Sequence, residues 1–435
     1  MVGQPSRGRT PRRLVTQLPW LGLFLVLIAG ALWLLRPRLP AAIEITGHSM
    51  LPTLWGSSLE MPCQDCGYPM RCSSPLDAAT ILCSNCGYDK NLASLATERE
   101  PDRVQIVALP RGSGPARWDL VAIHLPGKSA YAVKRVVGLP GELIRIQGGE
   151  IYADEQLLQK SWQLFEQLRV EVHHLGYRPA SQLRRPASPD DGPSTWKAEQ
   201  LPTGWTISPS LQFQPREEGT WDHLVLERQP AIPGLVTPPD QPLGGIVDYQ
   251  PANQGLARPR LHQLRDVMVE ADLAATPPAR FRLEIRCGDV VYRAELDLPE
   301  QQVRLSSGPD VLASAPLPPS TDSRWKIGLA VYDRQLVMTG AAGNHLVPRK
   351  IDREGVGYPV ILLGASGAAV QLKGLRVWRD VHYLGPDLTD ESWNPGRILG
   401  KEEYFLLGDN MPVSEDSRQW RTSIQRRDIL GTVRE

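Results

Sequence analysis

Tyr131-Ala-Val-Lys134-Arg135-Val-Val-Gly138-Leu-Pro140-Gly141-Glu142 sets a lysine and an arginine inside a valine-rich run that ends in a turn signal. Branched residues fit a pleated, half-buried surface, so the run reads as a strand closed by Gly-Leu-Pro-Gly. Leu120-Val-Ala-Ile-His124, just upstream, reads the same way. Farther on, Phe281, Leu283, Ile285 and Cys287 alternate with Arg282, Glu284 and Arg286, the period of a strand with one buried face. Asp266–Leu273, Val290–Leu296, Trp325–Tyr332 and Val370–Trp378 are similar. The 40 prolines and 38 glycines favour loops and β-structure over a helical bundle. The fold class expected is therefore mainly β.

Composition divides the chain. Residues 41–60 and 97–160 hold short β-like runs, and a cysteine-rich insert at 61–90 separates them. Residues 161–214 are expected to be linker or irregular, because 184–195 (Arg-Arg-Pro-Ala-Ser-Pro-Asp-Asp-Gly-Pro-Ser-Thr) reads as a flexible loop. Repeated strand candidates at 215–384 predict a β-sandwich. Residues 396–435 return to β-like runs around a polar cluster. The whole reads as one β-rich domain split by two insertions.

Lys plus Arg equals Asp plus Glu at 48 each, and with no long basic run nothing points to nucleic acid. One segment is far more apolar than the rest. Leu14 to Leu35 contains no charged residue, and at 1.5 Å rise per residue it covers roughly the 30 Å hydrocarbon core of a bilayer. Trp20 and Trp33 stand near its ends, where indole rings favour the interface. Arg7, Arg9, Arg12 and Arg13 precede it, against Arg36 and Arg38 after it. A basic cytoplasmic tail (1–13), a single transmembrane helix (14–35) and an extracytoplasmic body follow. The alternative is a cleaved signal peptide, helped by Ala29-Gly30-Ala31. Against it, the apolar run continues past a normal cleavage point.

Three stretches carry chemistry: Gly47-His48-Ser49-Met50-Leu51-Pro52-Thr53-Leu54, the lysine run quoted above, and Gly408-Asp409-Asn410 with Ser414-Glu-Asp416-Ser417-Arg418. Singly, each has a plain explanation. A serine after Gly-His is usually a turn serine, strand alternation would allow Lys134 to face solvent, and Gly-Asp-Asn is a common tight turn.

Together, in this order and wording, they resemble the boxes of the type I signal peptidase (leader peptidase) family. Arg117-Trp-Asp119-Leu-Val-Ala-Ile123 resembles the strand between the first two boxes. The resemblance implies a β-fold catalytic domain made of 41–60, 97–160 and 396–435. It implies a serine endopeptidase that removes signal peptides from exported preproteins after small residues, at the cytoplasmic (inner) membrane of a bacterium. Catalysis would need no cofactor. Ser49 would be the nucleophile and Lys134 the general base, with Ser414 orienting the lysine. Arg135, Asp409, Asp416 and Arg418 would be structural ion pairs around them. Met50 is expected near the bilayer surface.

The chemistry suits these residue types. A serine hydroxyl is a poor nucleophile until a base removes its proton. Lysine can be that base only when neutral, so burial must lower its pKa. Two departures from the family pattern stand out. Gly47 replaces a serine whose hydroxyl helps form the oxyanion hole in some members, which leaves backbone N–H donors. Arg421 stands where glycine is usual. His48 is not expected to act as a base, because neighbours in extended chain point to opposite sides.

Cys63-Gln-Asp-Cys66-Gly-Tyr68 and Cys83-Ser-Asn-Cys86-Gly-Tyr88 repeat one pattern with zinc-ribbon spacing. Four thiolates on a structural zinc are expected; disulfides compete, because the site would lie outside the cytoplasm. Cys72 could join either arrangement, and Cys287 reads as a buried structural thiol. The 215–384 segment resembles concanavalin-like or laminin-G-like sandwiches, which suggests a glycan or protein ligand by fold analogy alone. The expected partners are preprotein signal peptides, the lipid bilayer and that ligand. A processing peptidase with one dedicated substrate and an inactive membrane-tethered scaffold are the alternative functions.

Overall fold

The computed structural model describes residues 42–434 apart from 77, 111, 126–130, 179–195, 207–210, 218, 227–244, 255–260, 318, 321, 341–344, 352–356 and 421–423. The expected tail (1–13) and transmembrane helix (14–35) lie outside the described residues. Among the described residues no helix is long and apolar enough to cross a membrane.

The valine-rich run forms the strand Tyr131–Gly138, which lies inside a seven-stranded sheet. The spatial order is Ile43–Glu44, Arg103–Val107, Ile429–Arg434, Leu120–His124, Tyr131–Gly138, Glu403–Leu407 and Ile424–Gln425, with every pairing antiparallel. Register places Val121 opposite Lys134 and Leu407 opposite Arg135. Both faces of this strand are covered. Val133 packs with Ile45, Met50 and Leu54, while Val136 packs with Val121, Ile123 and Leu406. Simple alternation between core and solvent therefore fails here, and Lys134 is buried.

The cysteine insert is wider than 61–90. Ser58–Pro62 pairs with both Pro69–Ser73 and Thr97–Arg99, so the module runs from 58 to 99 with its own small core of Met61, Met70, Ile81 and the cysteines.

The second insertion is a β-sandwich. One sheet holds Val267–Ala275 between Arg324–Tyr332 and Val370–Arg379; the other holds Arg280–Cys287 between Val290–Asp297 and Pro359–Ser366. Val267, Val269, Ala271 and Leu273 face Phe281, Leu283, Ile285 and Cys287 across one core.

The linker expected at 161–214 is largely structured. Ser161 caps the helix Trp162–Leu168, its Oγ accepting from Leu164 N–H at 3.2 Å. Leu164 and Leu168 enter a core with Val137, Phe405 and Leu407 of the seven-stranded sheet, and the Phe165 ring stacks on Tyr332 of the sandwich at 4.3 Å. Val170–His174 then pairs with Val370–Arg379, and Trp196, Trp205 and Phe213 fill the sandwich core. These large apolar side chains order the segment; the Pro-rich composition that suggested a linker belongs to 184–195, outside the described residues.

Lys160, just before that helix, joins the two bodies. Its ammonium pairs with Asp333 at 2.5 Å and Asp380 at 3.0 Å, all three side chains being buried. Asp266 and Glu150 crowd the same place, and burial followed by repulsion from Asp333 pushes the Asp266 carboxyl up to about 7.

Candidate active site

Ser49 sits in the turn that follows the edge strand Ile43–Glu44. The turn is closed by Leu51 N–H donating to His48 C=O at 3.4 Å and Leu54 N–H donating to Met50 C=O at 2.9 Å. Met50, Leu51 and Leu54 are buried and pin it to the sheet, leaving Ser49 half-buried above them. The Met50 side chain therefore belongs to the core rather than to an outward surface. The His48 ring turns away from Ser49, its Nε2 lying 3.2 Å from Ser74 O.

Lys134 reaches this turn from the middle of its strand. Its Nζ donates to Ser49 Oγ at 2.9 Å and to Ser414 Oγ at 3.0 Å, and the residue is 3% exposed. Burial lowers its pKa to about 8, against an opposing pull from Asp416. About a tenth of the amine is thus neutral at pH 7, far more than for a free lysine.

Two buried ion pairs hold the surrounding chain. Arg135 donates to both oxygens of Asp409 at 2.7 Å, and to Trp118 C=O at 2.9 Å. Arg418 donates to both oxygens of Asp416 at 2.8 and 2.9 Å, and its guanidinium also reaches Leu384 C=O and Met411 C=O. Asp416 in turn accepts from Gly408 N–H at 3.1 Å. Position 408 admits no side chain: a Cβ there would lie 2.2 Å from Ser414 Oγ and 2.5 Å from Ser49 O. The glycine lets the third box close against both serines. Gly47 is different, since a Cβ there would meet nothing within 4 Å. Arg421 lies outside the described residues.

The seven expected site residues thus converge from three separated stretches. Sequence reasoning assigned no role to three others. Thr53 Oγ1 donates to Asp409 at 2.6 Å. Trp118, with φ at +74°, turns its carbonyl toward Arg135. Asn410 binds the Ser49 turn directly, its N–H donating to Ser49 C=O at 3.0 Å and its Nδ2 to His48 C=O at 2.8 Å. All three lie inside quoted motifs, so proximity to the assigned residues was the available signal.

The cysteine module gathers Cys63, Cys66, Cys83 and Cys86 so that their sulfurs all lie within 4.8 Å of one another. Cys63 to Cys86 and Cys66 to Cys83 are each 3.7 Å. A disulfide would need about 2.05 Å, whereas four thiolates at about 2.3 Å from a tetrahedral zinc lie roughly 3.8 Å apart. All six cysteines of the chain are free thiols. In each knuckle the N–H of the first cysteine donates to the tyrosine carbonyl and the glycine N–H donates back, with Gly67 and Gly87 both at φ +77°. Cys72 stands apart, its Sγ directed at Leu59 C=O at 3.9 Å. The donor set fits a tetrahedral thiophilic metal.

Comparison with known proteins places this geometry in context. The family described as "Signal peptidase, peptidase S26" matches residues 18–184 and 376–435, a little over half of the chain, interrupted by the sandwich. No curated protein matches. Among solved structures, a protein of unknown function with galectin-like fold from Bacillus subtilis aligns at 10% identity over 49% of this chain and 97% of its own, with a TM-score of 0.31. The carbohydrate binding module CBM66 from Bacillus subtilis aligns at 10% identity over 41% and 91%, with a TM-score of 0.28. The Caenorhabditis elegans galectin LEC-6 aligns at 14% identity over 26% and 82%, with a TM-score of 0.22.

Proposed function

Because this chain belongs to the signal peptidase family, peptidase S26, we propose that it is a membrane-anchored serine endopeptidase that cleaves signal peptides from exported preproteins after small residues. The observation that carries the reading is the buried lysine amine 2.9 Å from Ser49 Oγ and 3.0 Å from Ser414 Oγ.

In this reading the neutral Lys134 amine takes the Ser49 proton as Oγ attacks the scissile carbonyl. Ser414 holds the amine in line. The lysine then returns the proton to the departing amine of the mature protein, and water hydrolyses the acyl-enzyme through the same base. With Gly47 supplying no hydroxyl, backbone N–H groups at the Ser49 turn stabilise the oxyanion. Arg135–Asp409 and Arg418–Asp416 hold the lysine strand and the third box in register. The apolar 14–35 segment anchors the chain with its N-terminus in the cytoplasm and the catalytic body outside. The four cysteines bind a structural zinc, which takes no part in the peptide chemistry.

The test is cleavage of a purified preprotein by the full chain in detergent or vesicles, beside Ser49→Ala and Lys134→Met. Cleavage by the wild type with loss in both variants is expected. No cleavage by the wild type, or equal cleavage by the variants, would sink the assignment.

A further inference from the structure

The two insertions meet at the back of the nucleophile turn. The sandwich sends a short turn, Pro251–Asn253, to this place, where Asn253 is buried beside Asn410. The two side-chain amides pair reciprocally: Asn253 Nδ2 donates to Asn410 Oδ1 at 2.8 Å, and Asn410 Nδ2 donates to Asn253 Oδ1 at 2.8 Å. Asn410 Nδ2 also donates to His48 C=O at 2.8 Å, so both of its hydrogens are used. The backbone of Asn410 finishes the arrangement. Its N–H donates to Ser49 C=O at 3.0 Å, and its carbonyl accepts from Ser414 N–H at 3.1 Å. One residue therefore touches the segments that carry both hydroxyls bonded to Lys134.

Asn253 is itself tightly held. Its N–H donates to Gln250 C=O at 2.9 Å, and Ser73 Oγ donates to Ala252 C=O at 2.8 Å. The next residue, Gln254, grips the cysteine module: its Oε1 accepts from Leu82 N–H at 2.7 Å and its Nε2 donates to Leu82 C=O at 2.9 Å. Leu82 adjoins Cys83 of the four-cysteine cluster. Hydrogen bonds on either side of the Asn253–Gln254 peptide bond thus link the cysteine module to Asn410 and the Ser49 turn.

We infer that Asn253, supplied by the sandwich and braced on the cysteine module, is a positioning residue for the Ser49 nucleophile. It acts through Asn410 and touches no reacting atom. The inference rests on the peptidase reading. The physical reason is satisfaction: a buried amide without its partner loses its bonding or rotates to regain it. Rotation of the Asn410 amide would set its oxygen against the His48 carbonyl and push the nucleophile turn away from Lys134.

The experiment compares the full chain with Asn253→Leu and Asn253→Asp. The leucine matches the volume without polar atoms; the aspartate keeps an acceptor for Asn410 Nδ2 but sets an oxygen against Asn410 Oδ1. Thermal unfolding gives the folded fraction, and kcat is scaled to it. Both variants are expected to lose kcat by about ten- to a hundredfold with KM within about twofold, because small misplacement of a nucleophile has effects of this size. The pH inflection set by Lys134 should stay at its wild-type position, since the lysine strand is untouched. Scaled kcat within twofold of wild type in both variants overturns the inference. So does a shift of the inflection toward the value of a free lysine, which would mean general loosening of the site. Failure of the peptidase reading looks different: there the wild type and Ser49→Ala are equally inactive.

Discussion

Arg135 and Asp409 form a two-pronged pair at 2.7 Å with side chains 3% and 1% exposed, and each adjoins a residue at the contact between Ser49, Lys134 and Ser414. Arg135 follows Lys134 in its strand. Asp409 follows Gly408, the glycine packed against Ser49 C=O and Ser414 Oγ. The pair is therefore the fastener between the strand that carries Lys134 and the turn packed against Ser49 and Ser414.

Breaking it from one side should be costly. Asp409→Asn leaves the Arg135 guanidinium buried without a counter-charge, and the expected loss is about 3–5 kcal/mol of folding stability. Urea unfolding measures it. The double variant Arg135→Met, Asp409→Leu should lose less than Asp409→Asn alone; a larger loss would contradict this account.

The rate should follow the lysine. Lys134 has a pKa lowered to about 8, chiefly by burial, and only its neutral form can take the Ser49 proton. kcat/KM is therefore expected to rise with pH and level off above about 8, with about a tenth of the amine active at pH 7. A profile still rising through pH 10 would mean that the base is solvated. Lys134→Arg should be inactive throughout, because guanidinium stays charged.

Metal analysis tests the cysteine module. The purified chain is expected to carry one zinc, lost in Cys63→Ser or Cys83→Ser and retained in Cys72→Ser, whose sulfur points to Leu59 C=O. Equal zinc content in all three variants would exclude the four-cysteine site. Chelation should also lower the thermal midpoint, because metal binding contributes folding free energy here.

Asp266 offers a pH test of the junction between the two bodies. Its carboxyl is pushed up to about 7 by burial, then by Asp333 and Asp380. The folded chain holds a proton there that the unfolded chain releases near pH 4. Its contribution to stability is thus complete below about pH 4 and is lost as pH rises to 7. Asp266→Asn still offers an oxygen to the Asp333 N–H, which is now bonded at 3.0 Å. The variant should gain on the order of 1–2 kcal/mol at pH 8 and show a flatter profile from pH 4 to 7. Parallel profiles for the two proteins would place the proton elsewhere.

The strands of the sandwich were legible where apolar and polar side chains alternate: Phe281, Leu283, Ile285 and Cys287 enter the core, although Glu284 on the opposite face is also buried, paired with Arg282 and Arg293. The seven-stranded sheet was less so. Tyr131–Gly138 is covered on both sides, which hides its period and left the burial of Lys134 unreadable from alternation. The ordered motifs named seven residues that the fold brings together, since each motif keeps its members near one another in the chain. Asn253 had no such signal. It lies 157 residues from its partner Asn410, in an unremarkable Pro-Ala-Asn turn, and only packing of the two insertions brings it there. The segment at 161–214 misled because proline-rich composition in one part masked buried tryptophans in another.

The strand Ile429–Arg434 lies inside the seven-stranded sheet, paired with Arg103–Val107 on one side and Leu120–His124 on the other. Those neighbours are made more than three hundred residues earlier. A nascent chain still short of residue 429 leaves two facing strand edges bare, and exposed edges of this kind invite pairing with other chains. It also lacks Ser414, which is made 280 residues after Lys134. The topology therefore leaves this sheet, and the contact of Lys134 with Ser414, incomplete until residues 403–434 have been made, and it makes the order of synthesis a constraint on how the growing polypeptide keeps its bare edges from pairing elsewhere.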